Sequence, residues 1–163
     1  MDQPGALARS RFLARLGGLI AESRESQHRL ALFLVGVERP RIDPGEVDSI
    51  GESVLARVGE RLASCVSEGN VARLQSETFG MLLPCLRSGL QAREVATRVV
   101  GTLGLPFRPR VGIAIFPCDG DTSTALLARA SAALERARRE DRPTYCFYLR
   151  AFATSAASSS PLL

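Results

Sequence analysis

Val71 to Pro84 reads VARLQSETFGMLLP, and this stretch decides the fold. Two apolar runs, Val71 to Leu74 and Phe79 to Leu83, flank the four-residue apex Gln75-Ser76-Glu77-Thr78. Short strand-like runs on either side of a polar break predict a β-hairpin, and their apolar character places it centrally in a sheet. A sheet with such a hairpin needs further strands beside it and helices over its faces.

Upstream, Leu30 to Val37 reads LALFLVGV, continuously apolar and too short for an amphipathic helix, which predicts a central strand buried on both faces. Before it, Phe12, Leu16, Leu19, Ile20 and Ser23 recur at helical steps within Ala6 to Ser23 and form one stripe. After it, Asp43-Pro44-Gly45-Glu46 combines a cap, a first-turn proline and an acidic residue three positions on. A helix is expected from there, with Val47, Ile50, Val54, Val58, Leu62 and Val66 facing inward. Downstream of the hairpin, Ser88 and Gln91 have the spacing of a capping box before a helix bearing Val95, Val99 and Leu103. Gly104 and Pro106 end it. Phe107 to Phe116 reads as a strand closed by Pro117, Asp119-Gly120-Asp121 as a turn, and Leu126, Ala130, Leu134 and Ala137 as the stripe of another helix. Thr144 to Leu149 reads as a final strand.

This order predicts an α/β (α+β) sandwich, a mixed central sheet with flanking helices, as one domain over residues 1–149. Residues 150–163 are Ser/Ala-rich, with too little apolar surface to fix them, and a disordered tail is expected. With 163 residues, 45% of them hydrophobic, the chain can bury one core. All 21 basic residues are arginine and the formal charge is +4. Arg136, Arg138, Arg139 and Arg142 cluster at the close of the last helical pattern, read as a solvated basic helix end. No aromatic residues interleave with them, so nucleic acid is not the expected partner. Cys65, Cys85, Cys118 and Cys146 are irregularly spaced and His28 is the single histidine, so buried reduced thiols are expected rather than a metal site or disulfide framework. No apolar run approaches the ~18 residues of a membrane span, and a cytoplasmic location is expected.

The hairpin resembles the signature VARLGGDEFAVLLP of bacterial diguanylate cyclases, the GGDEF family, with QSETF (Gln75, Ser76, Glu77, Thr78, Phe79) in place of GGDEF. A second block, VGIAIFPCDGDTSTALLARASAALERARREDR from Val111 to Arg142, resembles the family's SIGIAxxPxDGxxxxxLLxxADxALYxAKxxGR. The resemblance covers about Gly5 to Tyr148 and implies the family's palm-like fold.

In that family two GTP molecules are joined into cyclic di-GMP, with carboxylate-held metal ions at the first strand and the hairpin. The resemblance places Gly36 at the leading aspartate of the first-strand DxDxFK motif, Glu77 and Thr78 at the two acidic hairpin positions, and Pro40 in the turn that cradles phosphates. Glycine offers no side-chain ligand and proline no N–H. Glu77 is read as an exposed charge at the hairpin tip, and no metal or cofactor is expected. Glu52, aligned with the guanine-binding aspartate, and Arg138 and Arg142, aligned with phosphate-contacting basic residues, are the candidates for residual nucleotide binding. The guanine-binding asparagine has no counterpart, Asp43 being read as a helix cap, and Val66 and Gly69 stand where the inhibitory RxxD site would be.

The resemblance therefore implies an inactive, degenerate GGDEF domain that regulates through a protein partner in a cyclic di-GMP pathway. The alternative is a GTP or cyclic di-GMP sensor without turnover. Arg39, Arg41, Gln75 and Glu77 are the candidate interaction surface. The chain is compatible with a stand-alone protein or a piece of a multidomain one.

Overall fold

The computed structural model describes residues 4–38, 51–66, 68–75, 77–103 and 107–148. Helix α1 (Pro4–Ser26) leads into strand β1 (Arg29–Gly36), then helix α2 (Glu52–Ala63) and a short 3-10 turn (Glu68–Asn70). The hairpin β2 (Val71–Gln75) and β3 (Thr78–Leu86) follows, then α3 (Gly89–Leu103), β4 (Arg110–Phe116), α4 (Ser123–Arg138) and β5 (Thr144–Phe147). The five strands form one mixed sheet in the order β2-β3-β1-β4-β5, with β1 antiparallel to both neighbours and β4 parallel to β5.

The continuous apolar run of β1 is explained by this placement. Ala31, Phe33 and Val35 point to a core shared with Val58 and Leu62 of α2 and Val95 and Val99 of α3. Leu30, Leu32 and Leu34 point the other way, against Phe12, Leu16 and Ile20 of α1 and Leu126 and Leu134 of α4. Successive strand residues face opposite sides, so a strand covered on both needs every position apolar. At the start of α3, Ser88 Oγ accepts from Gln91 N at 3.3 Å as the sequence predicts, while Gln91 Oε1 accepts at 2.7 Å from Arg87 N, one residue before the capping-box partner Ser88 N.

Several expectations are corrected. The hairpin is not central, because β2 is an edge strand and β1 holds the middle. Its apolar residues are covered by helices instead: Ala72 and Leu74 pack beside α1. The apex is tighter than four residues, since Gln75 pairs with Thr78. The helix expected from Asp43 is not continuous through Gly51, whose extended backbone (φ −66°, ψ 154°) immediately precedes α2. Asp43, Val47 and Ile50 lie outside the described residues, as does the tail from 149 onward. β4 begins at Arg110 rather than Phe107, with Pro109, which has no N–H to donate, just before it. Not all the thiols are buried either: Cys65 is, but Cys85 and Cys118 are exposed and Cys146 is half-buried. Pro117 and Pro84 interrupt the apolar pattern next to Cys118 and Cys85, and the chain turns those side chains outward. None of the four is in a disulfide.

The closest approach in the fold is at Gly112. A Cβ there would stand 2.3 Å from both Ala130 O and Leu134 N, atoms of the α4 backbone rather than of movable side chains. The helix therefore lies directly on β4. Gly112→Ala is expected to force α4 outward and cost about 3 kcal/mol, at the upper end of overpacking penalties, read as a lowered urea unfolding midpoint.

Asp119, in the turn after β4, is buried, with Oδ2 accepting from Ile115 N at 2.7 Å and Oδ1 without a partner among the described residues. Burial raises its carboxyl above the usual range, opposed by the Ile115 N–H and the Arg129 charge. A folded-state value above the unfolded value of ~3.9 means that the native state holds the proton more tightly. Ionisation at neutral pH thus costs stability, which returns as pH falls through the raised value toward 3.9. Asp119→Asn keeps an acceptor for Ile115 N and removes the titration. Paired denaturation curves at pH 7 and pH 4 should show wild type gaining on the variant at the acidic pH.

Candidate functional site

The end of β1 sets the site. Gly36 pairs with Thr78 of β3 on one side and with Arg110 of β4 on the other, so the first-strand position and the second hairpin position share one rung. Just beyond, Val37 N donates to Glu77 O at 3.0 Å and binds the hairpin turn to the end of β1. The C-terminal end of α4 comes down over this rung. A Cβ at Gly36 would lie 2.8 Å from Arg138 Nη2, so the guanidinium stands in the space that any side chain at Gly36 would enter. Arg138 Nη1 also donates to Glu135 Oε2 at 2.9 Å, one turn back along the exposed face of α4.

Arg110 explains why the helix ends there. It is buried, and its guanidinium donates to Ala137 O at 3.1 Å, Glu140 O at 3.0 Å and Arg108 O at 3.2 Å. The last carbonyls of a helix lack intrahelical donors, and a buried arginine with a fork of N–H groups supplies them. Desolvation pushes Arg110 down from its ordinary value, the Glu38 charge opposes this, and Arg108 and Arg138 add to it. Arg110 remains a cation at neutral pH, since arginine is not deprotonated in proteins. Nearby, Arg108 Nη2 donates to Asp141 O at 2.6 Å. Arg136 donates to Phe147 O and, at 2.9 Å, to Tyr148 O, tying α4 to β5.

The basic helix end is therefore not simply a solvated face. Arg136 is spent on backbone carbonyls, whereas Arg138, Arg139 and Arg142 are exposed. Arg110 escaped the sequence analysis altogether. Its one signal was a charge at the first position of a fully apolar strand, RVGIAIF, and nothing local says which carbonyls it meets.

The other predicted residues separate. Gln75 is exposed and Phe79 is buried in the core beneath the hairpin. Glu77 is half-buried, not an exposed tip charge, because the turn folds against Val37. Arg142 sits exposed between α4 and β5. Glu52 opens α2, with its side chain outside the described set, and Arg39, Pro40, Arg41 and Ser76 lie outside the described residues. Of the residual nucleotide-binding candidates, only Arg138 is thus placed against the rung.

A divalent cation fits these residues poorly. Magnesium asks for near-octahedral oxygen ligation, commonly including carboxylates. Here Gly36 has no side-chain ligand, Thr78 offers a hydroxyl, and a guanidinium stands over the rung. Among the described residues no group of three or more His, Cys, Asp or Glu side chains could hold a metal ion. Beside the rung, α1, β1, the hairpin and α4 enclose a cavity of about 220 Å³, with Gln75, Thr78 and Arg138 on its wall. None of the described helices is long and apolar enough to cross a membrane.

Comparison with known proteins agrees with this architecture. The family model described as diguanylate cyclase, GGDEF domain, matches residues 5–144. Diguanylate cyclase TpbB of Pseudomonas aeruginosa is 29% identical over 146 residues, covering 82% of this chain and 34% of TpbB, so the chain spans about a third of that relative's length. The crystal structure of the TpbB GGDEF domain superposes with a TM-score of 0.77 at 27% identity, covering 85% of this chain and 94% of that one. Diguanylate cyclase SiaD, solved in complex with its activator SiaC from the same organism, gives a TM-score of 0.70 at 25% identity, over 85% of this chain and 57% of SiaD. With a family match over nearly its whole described length and the family's sheet and helices in place, the chain belongs to the GGDEF family.

Proposed function

We propose that this chain is a catalytically silent GGDEF domain that acts by protein–protein contact within cyclic di-GMP signalling. The observation that carries the reading is the Arg138 guanidinium beside Gly36, at the position where the family's first metal-ligating carboxylate would stand. A side-chain ligand has been lost, and the positively charged end of the exposed Arg138 side chain lies in the space it left. Such a charge repels a metal ion at that point, and Thr78, in the same rung, has no carboxylate to compensate. The fold remains intact around this locus, with both cores packed and α4 capped by Arg110.

A solved relative, SiaD, is in complex with its activator SiaC, which supports protein contact as a mode of control for proteins that carry such a domain. The exposed hairpin residue Gln75 and the segment carrying Arg39 and Arg41 are the proposed contact surface. Loops freed from chemistry can vary without disturbing the core beneath them.

Incubation of the purified protein with GTP and either Mg²⁺ or Mn²⁺ should yield no cyclic di-GMP above a no-enzyme control. Gly36→Asp should remain inactive, because the new carboxylate meets the Arg138 guanidinium before it meets a metal, and the lost groups of a catalytic unit act together. Turnover by wild type that disappears on Glu77→Ala would overturn the reading. So would turnover restored by Gly36→Asp alone.

Charge reversal of Arg39 and Arg41 together with Gln75→Arg, at the exposed hairpin residue, tests the contact surface. Capture of the cognate partner from cell extract should fall while the unfolding free energy stays within about 0.5 kcal/mol of wild type for each surface change. Undiminished capture by the folded variant would place the contact elsewhere.

A further inference from the structure

The cavity beside the Gly36 rung borders the family's phosphate position at Arg138 and extends from it onto an aliphatic floor between α1 and α4. Its floor is aliphatic, built from Leu13 of α1, Leu34 of β1 and Leu127 of α4 among others, and its rim carries Arg9 and Arg138. Leu34 is buried, while Arg9 and Arg138 are exposed at the mouth. The two cations come from different helices, α1 and α4, and converge on one opening. Glu135, also on the rim, is paired with Arg138, so among the described residues the ionised groups of the site sum to a single positive charge. A volume of about 220 Å³ falls below the ~300–1,000 Å³ that takes drug-sized ligands. An aliphatic floor, a polar rim and one uncompensated positive charge describe the complement of a small amphipathic monoanion.

We propose that this cavity binds a short-chain organic carboxylate, its hydrocarbon body on the leucine floor and its carboxylate between Arg9 and Arg138. The guanidinium fork suits a carboxylate, which can take two parallel N–H bonds. A phosphate monoester carries up to two charges near neutral pH and would be less well matched to a net charge of one. Occupancy would bridge α1 and α4 on their shared face of the sheet. The leucine floor and Arg9 lie outside the residues that the family resemblance assigns to GTP, whereas Arg138 is shared with the family's phosphate-contacting position, so the carboxylate would compete there with a nucleotide phosphate.

Octanoate is the probe, with 1-octanol as the neutral control and phenyl phosphate as the alternative anion. Titration calorimetry on the whole chain should show saturable one-to-one binding of octanoate in the millimolar range or better, and about tenfold weaker binding of octanol. Arg9→Ala should weaken octanoate about tenfold and leave octanol nearly unchanged, a split that a general loss of folding would not give. Ser131→Trp, on the exposed rim, should block both ligands by filling the cavity. Thermal melts of both variants check that they remain folded. The proposal is overturned if octanoate does not saturate, if octanol binds equally well, if phenyl phosphate binds more tightly than octanoate, or if the folded variants bind octanoate as wild type does.

Discussion

The contact of α4 with Gly112 is the constraint on which the rest of this molecule depends. With no side chain at that position, the helix backbone rests directly against β4, and Ala130 O and Leu134 N occupy the space that a Cβ would need. A helix seated this closely has little freedom to slide or tilt, since protein interiors are packed as densely as crystals. Its C-terminus is then delivered to one place above the sheet. Arg110, two residues before Gly112 on the same strand, reaches up and satisfies the carbonyls of Ala137 and Glu140. Arg138, the last residue of the helix, arrives over Gly36 on the neighbouring strand.

Arginine is used in three ways around this end of the sheet. Arg110 is buried and acts as a cap, where its fixed charge and planar fork meet several carbonyls at once. Arg136 is half-buried and fastens α4 to the backbone after β5 while its guanidinium lies 6.0 Å from the Tyr148 ring centroid. Among the described residues Arg138 is held by Glu135, and it remains open to the site. Proximity matters here, because Arg138 and Arg108 both lower the proton affinity of Arg110 while Glu38 opposes them. The rung thus sits in a field made by its own chain, and the changes at Gly36 and Thr78 belong to that single locus.

The wider fold was legible in the sequence because burial on two faces, burial on one face and exposure leave different periodicities. LALFLVGV announced a doubly covered strand, and the stripe from Phe12 to Ser23 announced a helix lying on a sheet. Every member of that stripe is buried. The family resemblance matched the order of elements to a known fold and set Gly36 at the first-strand motif position, since two motif blocks in sequence constrain what lies between them. Edge or centre was not legible for β2, because apolar residues report cover by helices and carry no record of which neighbouring strand supplies hydrogen bonds.

What the sequence determined by itself was the inventory of elements, the faces they bury and the chemical identity of the residues at the family positions. These depend on local periodicity and on residue type, both of which a linear chain displays. Tertiary structure alone decided that Arg138 stands over Gly36, that Arg110 is a buried cap, and that Arg9 shares a cavity mouth with Arg138. Each joins groups far apart in sequence, and their meeting is set by how closely α4 packs on β4 and where α1 crosses the sheet. A close approach of that kind leaves only one mark in the chain, a glycine such as Gly112, and a glycine does not say what it makes room for.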